Sequence, residues 1–242
     1  MSMRKILLLI VFNSIVFTNV ANAQAAVLVF LFGEKVATKN FYFSLKIGGN
    51  LTNITNWEQS KFRFAMNFGL LATIKLEEDW YLQPEISFIS GKGARDVPKI
   101  TTGNDEVDII LEDVESGFLD LAYIDMPVLL KYYLSQKWNV GLGPYISYLT
   151  QASNFYETTV ENAGDLELRQ ITTDNINRWD YGIMVEAAWA PSRTENSDDM
   201  NLHLRISYGF SDILKDNPGD PVNNIMIQGM VSFPFMAEEE NK

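Results

Sequence analysis

Charged residues recur at even spacing inside apolar stretches of this sequence, and they are the first candidates for chemistry. Asp125 and Lys131 interrupt "YIDMPVLLKYYL", Tyr123 to Leu134. Lys46, Glu85, Asp180, Glu186 and Arg205 sit in similar surroundings. Paired carboxylates could do acid–base work, but Asp180 and Glu186 stand three strand repeats apart, too far to share a proton. His203 is the only histidine, so a serine–histidine hydrolase would have to use it. There is no cysteine, which excludes disulfides, thiol nucleophiles and cysteine–zinc sites. "GKG" (Gly91 to Gly93) lacks the spacing of a phosphate-binding loop.

The elements that carry these residues follow from counting by twos. Ala122, Ile124, Met126, Val128, Leu130, Tyr132 and Leu134 form one unbroken apolar face, and Asp125 and Lys131 lie on the other. A period of two is a strand. One face meets something oily along the whole length, which fits a tilted strand crossing a bilayer. The same alternation runs through Phe41–Gly48, Phe62–Leu76, Trp80–Ile89, Trp138–Tyr148, Arg178–Trp189, Asn201–Phe210 and Asn224–Phe235, giving eight strands in all. Nearly every charge falls on one face. The charges are therefore expected inside a barrel, Lys46, Arg63, Lys75, Glu85, Asp125, Lys131, Arg178, Asp180, Glu186 and Arg205 together. There they form a structural polar plug rather than a proton or ion path. Glu186 is expected to pair with Arg205, and Glu85 with Lys131.

The connections alternate in length. Glu77–Asp79 and Ser135–Lys137 are short and Pro191–Met200 is middling, whereas Asn50–Lys61, Gly91–Asp120, Thr150–Asn177 and Ser211–Asn223 are long. Short turns belong to the periplasmic side of such barrels and long loops to the outside. On that orientation Phe41, Trp80, Tyr132, Trp138, Trp189 and Phe235 fall at periplasmic strand ends, all on the apolar face. Phe62, Phe88, Tyr148, Trp179, Tyr181 and Tyr208 fall at external ends on the same face. Two aromatic belts on a lipid-facing surface are the mark of a transmembrane barrel. A soluble sandwich has no reason to sort its aromatics by height.

The chain of 242 residues carries a formal net charge of −12, which argues against nucleic-acid binding. Residues 1–23 read as a signal peptide: a basic start, an apolar run, then "ANA" before Gln24. Residues 24–40 form an N-terminal segment, 41–235 the barrel and 236–242 an acidic tail. The external loops are acidic, most densely in "NDEVDIILEDVE", Asn104 to Glu115. Such a run is usually a solvated face. The sharper alternative is divalent cations bridging it to lipopolysaccharide, although no EF-hand spacing is present.

"YLQPEISFISGKG", "YIDMPVLLKYYL", "WNVGLGPYISYL", "RWDYGIMVEAAW", "LRISYGFSDI" and "IMIQGMVSFPF" together resemble the PorT-type outer-membrane β-barrel family of Bacteroidetes. The resemblance covers most of the chain from Phe41 to Phe235. It implies an eight-stranded barrel in a Gram-negative outer membrane, and a link to a protein-secretion and gliding apparatus. The acidic tail after Phe235 departs from a strictly terminal insertion signal. The sequence is thus read as all-β, an eight-stranded antiparallel transmembrane β-barrel. Its expected role is non-enzymatic, structural or partner-binding, with no catalytic residue, cofactor or defined metal site. Expected partners are outer-membrane lipid, including lipopolysaccharide, and other envelope proteins. The alternatives are an accessory part of a secretion or gliding machine, an outer-membrane lipid hydrolase using His203, and a small-solute channel. The barrel reading has a simple consequence. Purified in detergent, the mature chain should show β-rich circular dichroism and a gel mobility that changes on boiling; a monomer fully soluble without detergent would contradict it.

Overall fold

A computed structural model describes residues 40–57, 59–97, 116–160, 164–191, 200–215 and 217–235. It contains β1 (Phe41–Ile54), β2 (Arg63–Lys75), β3 (Trp80–Arg95), β4 (Ser116–Tyr133), β5 (Trp138–Val160), β6 (Gly164–Ile171), β7 (Trp179–Trp189), β8 (Asn201–Gly209) and β9 (Asn224–Phe235). Every pairing is antiparallel. The ladder runs β1–β2–β3–β4–β5–β7–β8–β9 and returns to β1, so eight strands close a barrel. β6 is the additional strand: it pairs with the outer part of β5, at Ser153 to Val160, beyond the segment that pairs with β7.

The alternation seen in the sequence decides which way each side chain points. In β7 it is complete, with Asp180, Met184 and Glu186 buried and Trp179, Tyr181, Ile183, Val185 and Trp189 exposed. The same inversion of the soluble rule holds round the barrel: large apolar side chains cover the outside and polar ones fill the inside. Only a surface facing hydrocarbon favours that arrangement. Residues 1–39, 98–115 and 236–242 lie outside the described residues, and with them the signal peptide, most of the N-terminal segment, the "NDEVDIILEDVE" run and the acidic tail.

The wall is uneven in height. β7 has 11 residues and β8 has 9, close to the roughly 9–11 that cross a bilayer. β3, β4 and β5 have 16, 18 and 23. The long loops expected at 50–61, 91–120 and 150–177 are thus partly strand. β1 runs on to Ile54, β3 to Arg95 and β5 to Val160, and β6 returns along β5. The apolar alternation stops in these stretches, so a period of two does not mark them as strand. It stops for a physical reason. Above the membrane the outside of the wall is water, so the polarity reverses: Leu119, Leu121, Leu149 and Ala152 point in, while Asp120, Thr150 and Gln151 point out.

Two bulges accompany the change. β5 has an extra residue, Thr150, where its register against β4 shifts. β3 bulges between Ser87 and Ser90, and both Phe88 and Ile89 point outward. Ile89 was expected on the inner face, yet it is 54% exposed. The extra residue resets the phase, so Ser90 and Lys92 turn inward.

Candidate functional site

The candidate site is the barrel interior. Among the described residues, the buried strand charges are Lys46, Lys92, Lys131 and Arg205 against Glu85, Asp125, Asp180 and Glu186. Four of each sign leave the interior formally neutral.

The lower group lies toward the periplasmic end. Arg205 on β8 and Glu186 on β7 are register partners, and the guanidinium donates from Nε to Glu186 Oε2. It also grips Glu85, from Nη1 to Oε2 at 2.7 Å and from Nη2 to Oε1. Lys46 Nζ lies 2.5 Å from Glu85 Oε2, and Lys131 Nζ lies 2.7 Å from Glu186 Oε1. Lys131 thus pairs with Glu186; the partners of Glu85 are Lys46 and Arg205. Register explains the exchange. Lys131 and Glu186 both flank Gly141 on β5, and a Cβ at Gly141 would lie 3.3 Å from Lys131 Cγ and 3.5 Å from Glu186 Cβ. The glycine leaves the room in which the two chains meet.

The upper group centres on Lys92. Its Nζ sits 2.9 Å from Asp180 Oδ2 and 3.2 Å from Asp125 Oδ1, and donates to Ser147 Oγ at 2.9 Å. It also lies over the rings of Tyr123 and Tyr145, at 4.6 and 4.7 Å. Asp125 accepts from Ser90 at 2.5 Å, and Asp180 accepts from Ser211 at 2.7 Å and Asn224 at 3.0 Å. A neutral layer joins the upper group: Gln228 donates to Asn50, Asn50 and Asn67 donate to Ser90, and Ser90 donates to Asp125.

Buried uncharged side chains border the charged interior above and below. Above Lys92, Ile54, Leu119, Leu121, Leu149, Ile176 and Ile213 form a buried apolar cluster. Below, Tyr42 and Tyr81 are buried, and the Tyr81 ring packs 4.8 Å from Tyr133.

Three of the expected interior charges lie elsewhere. Lys75 is exposed at the foot of β2. Arg178 precedes β7 and donates to the Leu149 carbonyl, with Asp174 3.8 Å away. Arg63 reaches across β3 to Asp120 at 3.0 Å and to the Lys92 carbonyl. All three sit where a strand leaves the bilayer, so alternation no longer governs them. Lys92 was missed for the converse reason: it follows a bulge that no local periodicity announces.

The aromatic belts occupy the outer surface. Trp80 pairs with Tyr132 (ring centroids 4.8 Å apart), Trp138 with Trp189 (6.0 Å) and Tyr148 with Trp179 (4.9 Å), each across neighbouring strands. Phe62, Phe88, Tyr181 and Tyr208 are exposed, and Phe41 is half-buried. Phe235 ends β9, opposite Phe43 in the ladder.

His203 lies near the periplasmic end. Its Nδ1 is 3.1 Å from Glu186 Oε2, and its Nε2 is 2.8 Å from Ser232 Oγ. Hydroxyl, imidazole and carboxylate line up as in a hydrolytic relay. However, Ser232 is 1% exposed and Glu186 is engaged by Arg205 and Lys131, so no ester can reach the hydroxyl. Among the described residues no group of three or more acidic or histidine side chains is placed to hold a metal ion.

The family model described as "Outer membrane protein beta-barrel domain" matches residues 22–215. The chain belongs to this family. It is an outer-membrane β-barrel protein, located in the outer membrane. Solved structures of similar fold include Ail, the attachment invasion locus protein of Yersinia pestis, at 10% identity and a TM-score of 0.42, covering 80% of this chain and 98% of that one. OprG from Pseudomonas aeruginosa is 11% identical with a TM-score of 0.41, covering 81% and 97%. Neisserial surface protein A is 13% identical with a TM-score of 0.39, covering 81% and 98%. No curated protein sequence matches the chain.

The pairing gives a direct test. In a double-mutant cycle on Glu186→Gln and Arg205→Met, unfolding in detergent should show each single change costing about 3–5 kcal/mol, because each strands a buried charge. The double variant should lose clearly less than the two together. Strict additivity would contradict the register of β7 against β8.

Proposed function

We propose that this barrel is a closed, non-enzymatic scaffold with a structural or partner-binding role. The observation that carries this reading is the interior: a neutral, hydrogen-bonded ion network with an apolar cluster above it and tyrosines below. Eight strands enclose a space that side chains can fill, and here they fill it. A solute path would need polar, hydrated groups along its whole length, and the apolar cap interrupts any such line. The hydrolase alternative loses its support with the inaccessibility of Ser232.

The part available to partners is the raised wall of β3 to β6. Its strands are longer than β7 and β8, and the β5–β6 hairpin carries Glu157, Asp165 and Glu167 in sequence. An acidic ledge above the lipid suits a protein partner in the envelope. The resemblance to PorT-type barrels of Bacteroidetes favours a secretion or gliding machine as the setting, with this chain as an accessory component.

Planar bilayer recording tests the closed reading. Reconstituted protein should show no sustained conductance. Reproducible open-channel steps, altered by substituting Asp125 or Lys131, would overturn it and make those residues determinants of selectivity.

A further inference from the structure

The barrel wall has a seam between the upper parts of β2 and β3. Between the Asn67–Ser90 pair and the isolated Lys61–Arg95 bridge, β2 and β3 form no ladder pairs. The β3 carbonyls there accept from side chains: Gly91 from Asn50 Nδ2 (3.0 Å), Lys92 from Arg63 Nη1 (3.2 Å) and Gly93 from Thr52 Oγ1 (2.7 Å). β2 still comes close, because a Cβ at Gly91 would lie 2.5 Å from Ala65 Cβ. Over this seam lies a groove of about 410 Å³ on the outer surface. Phe64, Met66, Phe88 and Ile89 line it and are exposed. Phe88 belongs to the external aromatic belt, which sets the groove at the outer edge of the hydrocarbon.

Directly above the groove three bases stand close together. Lys61 and Arg95 meet at the bridge, and Arg63 and Asp120 both line the groove itself. Asp96 and Asp120 offset two of these three bases, through Lys61 at 2.7 Å and Arg63 at 3.0 Å. The exposed Lys61–Asp96 pair is worth little in water and opens readily to a stronger anion. In a chain of net charge −12, this is a local basic rim over an apolar slot. That is the outline of an amphiphile: acyl chain below, phosphate above.

We propose that the β2–β3 seam is a binding site for a phosphorylated lipid of the outer leaflet. An acyl chain lies against Phe64, Met66, Phe88 and Ile89, and the phosphate takes hydrogen bonds from Arg63 and Arg95. Guanidinium suits this task because its planar fork can meet two phosphate oxygens at once. The site does not depend on whether the raised wall binds a protein. It sits at the foot of that wall, on β2, β3 and β4, and uses no residue of the β5–β6 hairpin's acidic part.

The test is a titration of the folded protein in non-ionic detergent, followed by native mass spectrometry. The probes are lipid A carrying its phosphates and the same lipid A with the phosphates removed. The wild type should bind the phosphorylated form at least about ten-fold more tightly, a difference of roughly 1.4 kcal/mol. Arg63→Gln with Arg95→Gln should abolish that preference, and Ile89→Asn should weaken both lipids alike. Because Arg63 also supports the seam, Lys61→Gln with Arg95→Gln provides a second variant that leaves its bonds in place; it should cut the preference at least about three-fold. Heat-modifiable mobility checks that each variant is folded. Equal binding of the two lipids by the wild type, or a preference unchanged in the second variant, would overturn the proposal.

Discussion

A carboxylate or an ammonium group inside a barrel ringed by lipid has lost most of its water. The cost is several kcal/mol per ion even after the surroundings relax, and only close partners of opposite sign can offset it. Lys92 shows how the constraint is met. It lies between Asp125 and Asp180 with Ser147 and two aromatic rings completing its shell, and it is 1% exposed. Asp125, Ser147 and Asp180 come from β4, β5 and β7, which are adjacent in the ladder at that height. Lys92 comes from β3. One side chain therefore ties four strands together, β3, β4 and β7 through charge and β5 through a hydrogen bond. Arg205 does the same lower down, joining β8 to β7 and, across the interior, to β3.

This demand shapes the backbone as well. Lys92 can turn inward only because β3 gains a residue at Phe88 and Ile89. The bulge puts both of those side chains on the outside and leaves the upper end of β3 out of ladder register with β2. The seam in the wall is a consequence of the same phase change that places the central lysine. Further up, where water replaces lipid on the outside, there is no reason to hide charge, and the interior reverts to aliphatic packing. The boundary is sharp: Ser147 points in on β5, and Leu149 is the next inward residue.

Alternation carried most of the fold into view from sequence alone. Hydrocarbon outside and polar groups inside impose a strict period of two, and each of the eight wall strands shows it. The seven residues Lys46, Glu85, Asp125, Lys131, Asp180, Glu186 and Arg205 all lie within the bilayer-spanning part, where that rule is strongest, and all seven are buried inside. What escaped the sequence lies at the boundary. Arg63, Lys75 and Arg178 sit at strand ends, where a long side chain can bend to water or to a carbonyl. Lys92 follows a bulge. The outer part of β5, "QASNFYETTV", has no apolar face to announce it, because a wall standing in water needs none on that side. The pairing of Lys131 with Glu186 depended on Gly141, whose role appears only when three strands are set side by side.

On the proposed reading, a charge-balanced interior, organised at its upper level by Lys92, holds this barrel closed. The most direct measurement is the unfolding free energy of Lys92→Met in detergent or lipid, alone and combined with Asp125→Asn and Asp180→Asn. Removing the lysine leaves two carboxylates facing each other without a cation, so the single variant should lose about 3–5 kcal/mol. Neutralising both aspartates should then recover at least half of that loss. A Lys92→Met barrel as stable as the wild type, or a triple variant weaker than the single one, would contradict the account.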